Sequence, residues 1–251
     1  MEIVWLALFF IYGCVFGSFF NVVGLRVPKK ESVVRPPSHC TTCGRKLRLF
    51  DLIPVLSYVV LRGKCKGCGQ KINAIYPFIE LITGVLFAYA FFQLGFSKDL
   101  IIGILFVSLL VIITVSDISY MIIPDKVLLP FAISFLILRW LIPMSPWWDS
   151  FLGAAIGFSV LFIIAIVSKG GMGGGDIKLF FVIGLVLGTI NTLLTLFLAS
   201  IIGSIAGVFV LKKTGKGKKT PVPFGPSIAL AAIISYFYGK DFVEWYQQLF
   251  F

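Results

Sequence analysis

The chain has 251 residues, 59% of them hydrophobic and only 13% charged, a balance that excludes an ordinary soluble domain and identifies an integral membrane protein. Its formal net charge of +11 raises nucleic acid as a partner, but the basic residues sit in loops beside apolar runs. Anionic lipid is the expected counterpart there, and no nucleic acid is. A bilayer core of about 30 Å takes roughly 20 apolar residues per helix. Apolar runs occur at 3–25, 76–95, 99–116, 127–142, 150–168, 177–190, 192–211 and 226–238. The expected fold is an all-α polytopic membrane protein of about eight transmembrane helices, with one small zinc-binding cytoplasmic loop domain. Its parts are a first span at 1–25, a four-cysteine loop at 26–75 and a membrane-embedded region at 76–251. The first run lacks the basic start and small-residue cleavage pattern of a signal peptide, so it is expected to be retained. The sixth and eighth runs are short, and each follows a Gly- or Pro-rich stretch, GGMGGGD and TPVPFGP. Non-helical backbone is expected there, lining a protein cavity.

The polar segment 26–75 carries Cys40 and Cys43 in one CxxC and Cys65 and Cys68 in another, each pair followed by a glycine, Gly44 or Gly69. Four thiolates in two such turns match a closed tetrahedral zinc site. Two disulfides are the competing reading, which a reducing cytoplasm disfavours. A closed site leaves no position for substrate, so the zinc is expected to be structural, replacing the core that so small a loop lacks. His39 abuts Cys40 but is not needed as a ligand, and Cys14, in the first run, is expected to pack.

Ionisable groups at membrane depth are costly and point to function. On the loop-bearing side the candidates are Glu80, Asp117, Asp125 and Asp176. Asp117 closes the apolar run LFVSLLVIITVSD, and Asp176 opens another from the glycine loop. The two spans between them return the chain to the same face, so the two carboxylates can meet. Asp125 stands where a helix N-cap is expected. Glu80 suits a buried partner for the polar loop as well as it suits chemistry. Asp176 can also serve a helix start, yet a cap needs only one permissive residue, whereas this loop allows a backbone to come close. Two carboxylates in a poorly solvated site do not both ionise, so one keeps its proton. The ionised member can then activate water and the protonated one can serve a carbonyl oxygen and a leaving amine, with neither metal nor histidine.

The basic residues set an orientation. With the N-terminus outside, the loops 26–75, 117–126, 169–176 with Lys178, and 212–225 face the cytoplasm and carry nineteen of the 22 Lys and Arg. Only Lys98, Arg139 and Lys240 remain outside.

These motifs, in this order, resemble the type IV prepilin peptidases of the GxGD aspartyl protease class. The resemblance runs through GSFFNVVGLRVP, RPPSHCTTCG, DLIPVLSY, LRGKCKGCG, YPFIELITG, DISYMIIPD, GGMGGGDIKL and PFGPSIALA. It implies Asp117 and Asp176 as the catalytic pair, from the D-x6-PD and GxGD motifs, with Gly173 and Gly175 as motif glycines of a substrate loop. It also implies the substrate, a prepilin or pseudopilin whose basic leader is cut after a glycine at the cytoplasmic face of the inner (plasma) membrane. N-methylation of the new terminus with S-adenosylmethionine is implied by the family alone; no nucleotide fingerprint appears in the chain. Two other classes compete with this reading. An ion-coupled membrane transporter would favour an internal repeat, and the halves share no motif. A non-catalytic assembly scaffold leaves the glycine-flanked Asp176 without a purpose.

Overall fold

A computed structural model describes residues 1–169, 171–214 and 222–250. Gly170 of the glycine loop and residues 215–221 of the basic stretch 212–225 therefore lie outside the described residues. The described residues are nearly all helical, with no strand and only two isolated antiparallel bridges, His39 with Lys46 and Lys64 with Lys71. The helices are α1 (Glu2–Arg26), α2 (Leu56–Val60), α3 (Ile75–Leu94), α4 (Lys98–Tyr120), α5 (Asp125–Leu141), α6 (Asp149–Val167), α7 (Gly174–Thr214) and α8 (Gly225–Phe250). Five of these, α1, α3, α4, α6 and α7, are long and apolar enough to cross a membrane. Packing divides the chain into two compact units, Met1–Val115 and Ser116–Phe251.

In the first unit α1 packs on α3 through small residues, which let membrane helices approach closely. A Cβ on Gly13 would lie 2.7 Å from the Gly84 Cα, and one on Gly17 would lie 2.9 Å from the Glu80 Cα. Cys14 is buried in this seam, where a Cβ on Gly84 would lie 2.6 Å from its sulfur, so it packs as expected. Away from the loop the seam ends in aromatic contacts, with Phe9 stacked on Phe91 at 4.6 Å and Trp5 edge-on to Phe96 at 5.0 Å. Gly24 of α1 meets Val115, at the end of this unit's share of α4.

In the second unit α7 holds two of the expected runs. Gly188 interrupts it with φ 73° and ψ −177°, a conformation open to glycine but costly for a side chain. A Cβ on Gly157 of α6 would lie 2.8 Å from the Phe180 carbonyl oxygen and 3.0 Å from the Thr192 methyl. A straight helix would hold residues 180 and 192 about 18 Å apart. The chain therefore doubles back at Gly188, so the sequence's sixth and seventh runs are separate helices, 174–187 and 189–214. Both broken ends are capped by side chains. Arg139 donates to the carbonyls of Leu185 and Val186, and Asp149 Oδ1 accepts the Thr189 N–H at 3.2 Å. These are groups that a helix terminus leaves unpaired.

Candidate active site

Asp117 lies in the last turn of α4 and is only 6% exposed. Helix α4 stops three residues later, where Met121 takes φ 54° and donates its N–H to the Asp117 carbonyl at 2.8 Å. Ser116 Oγ donates to the Ile122 carbonyl at 2.5 Å, which ties the segment after the helix back against it. Asp117 Oδ2 accepts the Gly225 N–H at 2.7 Å. Gly225 is buried and begins α8, so the acid faces the end of a helix that favours negative charge. A Cβ on Gly225 would lie 2.8 Å from that same Oδ2 and 3.0 Å from Cγ. The PFGP motif thereby gains a physical reading, since Phe224 lies over Gly203 while Gly225 leaves room for the carboxylate.

Asp176 sits in the first turn of α7, half-buried. Its carboxylate accepts the Gly173 N–H, an arrangement that satisfies a helix start, and its charge interacts with that of Asp117. The structure thus brings the two acids selected from the sequence into one electrostatic site.

The glycine loop differs from expectation. None of Gly171, Gly173, Gly174 and Gly175 has positive φ, and Gly174 and Gly175 are already helical, so the helix begins three residues before the predicted run at 177. The glycines serve close approach. A Cβ on Gly173 would lie 3.0 Å from Asp176 Oδ2, and one on Gly175 would lie 2.7 Å from the Ile123 Cβ. At Gly174 nothing stands within 4 Å. The space at Gly175 is therefore filled by the protein itself, and the open backbone is at Gly174.

Asp125 does not cap α5. Pro124 is the N-cap residue and makes no side-chain cap, while Asp125 accepts both of its contacts from Lys178 Nζ, at 2.9 and 2.7 Å. The pair joins the starts of α5 and α7, two residues beyond Asp176. The sequence alone gives Lys178, Ile123 and Gly225 no place in the site. Lys178 and Gly225 lie in motifs visible there, GGGDIK and PFGP, but their partners are 53 and 108 residues away in the chain.

In the Met1–Val115 unit the cysteines form a second site. The two turns repeat one design. Gly44 (φ 68°) donates to the Cys40 carbonyl at 2.9 Å, and Gly69 (φ 71°) donates to the Cys65 carbonyl at 2.9 Å. Cys40 and Cys65 in turn donate to the carbonyls of Arg45 and Gln70, at 2.9 and 2.8 Å. The four sulfurs lie within 4.8 Å of one another, and Cys40 Sγ is 3.9 Å from Cys68 Sγ. A tetrahedral zinc with Zn–S bonds of about 2.3 Å needs sulfurs about 3.8 Å apart. The cluster therefore fits zinc, and all five cysteines are free of disulfides. Backbone N–H groups of Cys43 and Thr42 hold the Cys40 thiol down to about 6, and those of Cys68 and Gly67 lower Cys65. The Gln70 N–H acts to lower Cys68, but burial and the adjacent thiols outweigh it and push Cys68 up to about 11. A dication held by Cys40, Cys43, Cys65 and Cys68 would favour all four thiolates, Cys68 included. His39 stays outside the cluster, with Nδ1 3.0 Å from the Pro37 carbonyl.

Glu80 partners the loop. Its Oε2 accepts the Val55 N–H at 2.8 Å, and Ser18 also bonds to the carboxylate. Arg45 and Asp51 pair at 2.9 Å within the loop.

A model of the bacterial peptidase A24 N-terminal domain matches residues 11–94, and one of the type IV leader peptidase family matches residues 104–208. The chain is similar to a prepilin leader peptidase/N-methyltransferase of Bacillus subtilis (strain 168), 41% identical over 244 residues, which cover 97% of this chain and 98% of that one. A protein of the same name from Myxococcus xanthus is 35% identical over 82% of this chain and 63% of its own. Another, from Xanthomonas campestris pv. campestris, is 30% identical over 93% of this chain and 91% of its own. No solved structure matches the chain.

Proposed function

The chain belongs to the type IV leader peptidase family, and from that premise we propose that it cleaves the basic leader of type IV prepilins or pseudopilins after a glycine, by a two-aspartate mechanism. The observation that carries the reading is the convergence of Asp117 and Asp176, with Asp117 Oδ2 held by the Gly225 N–H at 2.7 Å. The ionised carboxylate takes a proton from water as the water oxygen bonds to the scissile carbonyl carbon. The protonated one donates to the carbonyl oxygen. As the tetrahedral intermediate collapses, the C–N bond breaks and the departing amine nitrogen takes a proton from the pair. Asp117 and Asp176 are the catalytic residues in this reading. Gly173 and Gly175 form the loop that lets Asp176 and Ile123 close on the helix start, and substrate backbone is received at the open Gly174. These groups lie in 116–251, within the hydrolytic region assigned to 76–251.

The test is turnover of a prepilin in detergent by Asp117→Asn and Asp176→Asn, with melting followed beside it. Each variant should lose cleavage while staying folded. Normal cleavage by either removes that residue from the mechanism.

The chain also N-methylates the new terminus, as the relatives' names indicate, with S-adenosylmethionine as methyl donor. The cavity beside the cysteine loop, lined by Ser18, Phe19, Arg26, Ser38 and Leu52 among others, measures about 250 Å³. It offers no carboxylate for ribose hydroxyls, so these residues do not fit the donor. Cys40, Cys43, Cys65 and Cys68 hold a structural zinc that fixes the two turns of the loop.

The protein is a multi-pass protein of the inner (plasma) membrane, in contact with lipid, its N-terminus outside and its aspartates and cysteine loop cytoplasmic. The placement of nineteen of 22 basic residues supports that orientation. Single cysteines placed at Lys46 and at Ser145 in a variant without native cysteines should label from the cytoplasmic side and from outside, respectively. Labelling of the Lys46 position from outside reverses the orientation. Lys216, a further useful site, lies outside the described residues.

A further inference from the structure

The cysteine loop contains an apolar surface that neither the zinc nor the hydrolytic reading uses. Between the two CxxC turns runs LFDLIPVLSYVV, residues 49–60. Leu49, Phe50 and Val60 are 85%, 82% and 78% exposed, and Leu56 and Val59 are exposed as well. Such side chains, gathered in twelve residues of an otherwise polar loop, form a patch that water does not suit. Arg48 precedes them, and Arg62 and Lys64 follow.

The position of this segment along the two flanking helices identifies what covers it. Val55, at its centre, donates its N–H to Glu80 at 2.8 Å. Glu80 lies five residues inside the start of α3 at Ile75, about 7.5 Å along the helix axis. On the other side, Leu52 faces Ser18, Phe19 and Val22 across one small cavity. Ser18 is eight residues before the end of α1 at Arg26, about 12 Å along that axis. Helix α1 has 25 residues and is thus about 37 Å long, enough to reach from one headgroup layer into the other. Centred on a core of about 30 Å, α1 ends about 4 Å beyond it, so a segment level with points 7.5–12 Å short of the helix ends lies about 4–8 Å inside the core, among the outer acyl carbons. Val55 itself adopts φ 60°, an uncommon conformation for a β-branched residue, and the Glu80 carboxylate accepts the N–H which that turn presents.

We propose that residues 49–60 form an interfacial membrane element, with Leu49, Phe50, Leu56, Val59 and Val60 seated among the outer acyl carbons and the flanking basic residues among anionic headgroups. Glu80 is the anchor that sets its depth. An element of this type combines apolar burial with attraction to anionic lipid. The cysteine turns on either side are thereby held against the membrane surface.

The test uses the full chain in nanodiscs of anionic lipid. The five native tryptophans are replaced by phenylalanine, and one tryptophan is introduced by Phe50→Trp or, separately, Val60→Trp. At both positions, lipid brominated near the headgroup end of its acyl chains should remove most of the emission. Lipid brominated near the chain ends should remove less, and acrylamide in the water should have little effect compared with free N-acetyltryptophanamide. Adding Glu80→Ala should raise the acrylamide sensitivity. Strong quenching by acrylamide with none by bromolipid overturns the proposal. So does shielding from both quenchers, which means that protein covers the patch. The unmodified chain provides a second measurement that needs no tryptophan replacement. A photoactivatable acyl chain should attach to peptides spanning 49–60, and adducts confined to α1, α3 and the other spans overturn the proposal.

Discussion

Substituting Gly225 by alanine places a methyl group 2.8 Å from Asp117 Oδ2, 2.9 Å from its Cβ and 3.0 Å from its Cγ. No alanine side chain occupies such a gap, so either the carboxylate or the first turn of α8 must shift. Asp117 is 6% exposed and fixed by the end of α4, which leaves its hydrogen bond to the Gly225 N–H as the part that yields. A hydrogen bond to a charged group contributes about 1.5–3 kcal/mol. If that bond holds Asp117 in its reacting orientation, its loss slows turnover by about ten- to a hundredfold. Folding loses the same contact, a cost that is only partly offset by the roughly 0.5–1 kcal/mol less backbone entropy that alanine costs than glycine in a helix. The assay is prepilin cleavage in detergent, with kcat and KM resolved and melting measured alongside. The expected result is a fallen kcat, a nearly unchanged KM and a Tm lowered by at most about a few degrees, which leaves the protein folded at the assay temperature. Wild-type kcat in Gly225→Ala refutes the role given to this contact. A fall in Tm that accounts for the lost activity reduces Gly225 to a packing residue.

Three further outcomes follow from the same geometry. Gly175→Val should lower turnover at least about tenfold, equivalent to roughly 1.4 kcal/mol of barrier, while Gly174→Ala, which meets no protein atom but adds a methyl group where substrate backbone is received, should raise KM without lowering Tm. Because the obstacle at 175 is the Ile123 Cβ at 2.7 Å, adding Ile123→Gly, which removes that atom, should restore part of the activity, and no restoration means that the valine blocks substrate instead. Asp125→Asn and Lys178→Gln each break an exposed ion pair worth at most about 1 kcal/mol, so cleavage should stay within about fivefold of normal; complete loss would give the pair a role in chemistry. Cys65→Ser should abolish the binding of one zinc per chain in metal analysis, and unchanged zinc content moves the metal away from this cluster.

Sequence alone determines what depends on local composition and spacing. Apolar runs specify helices because a membrane interior leaves no other partner for the backbone, and all eight runs are helical. Two CxxC turns specify a tetrahedral cluster because each turn is local, so the four cysteines could be named from spacing. The break in α7 is visible in the sequence as two separate apolar runs, 177–190 and 192–211, yet its reason is tertiary: Gly188 turns the chain back, and Arg139 and Asp149 cap the two ends from other helices. The role of Asp125 is also decided in three dimensions, since Pro124 takes the cap position and the Asp125 carboxylate pairs with Lys178, 53 residues on. The same holds at the glycine loop, where composition leaves room for a backbone to come close but the groups that fill the space at Gly173 and Gly175 are Asp176 itself and Ile123. Gly225 shows the difference most plainly. A glycine between a phenylalanine and a proline reads as a turn, and only the approach of a buried carboxylate from 108 residues away explains why no side chain fits there. Spacing can show which acids are able to meet, but what holds them in place is contact between groups distant in the chain, which only the folded structure determines.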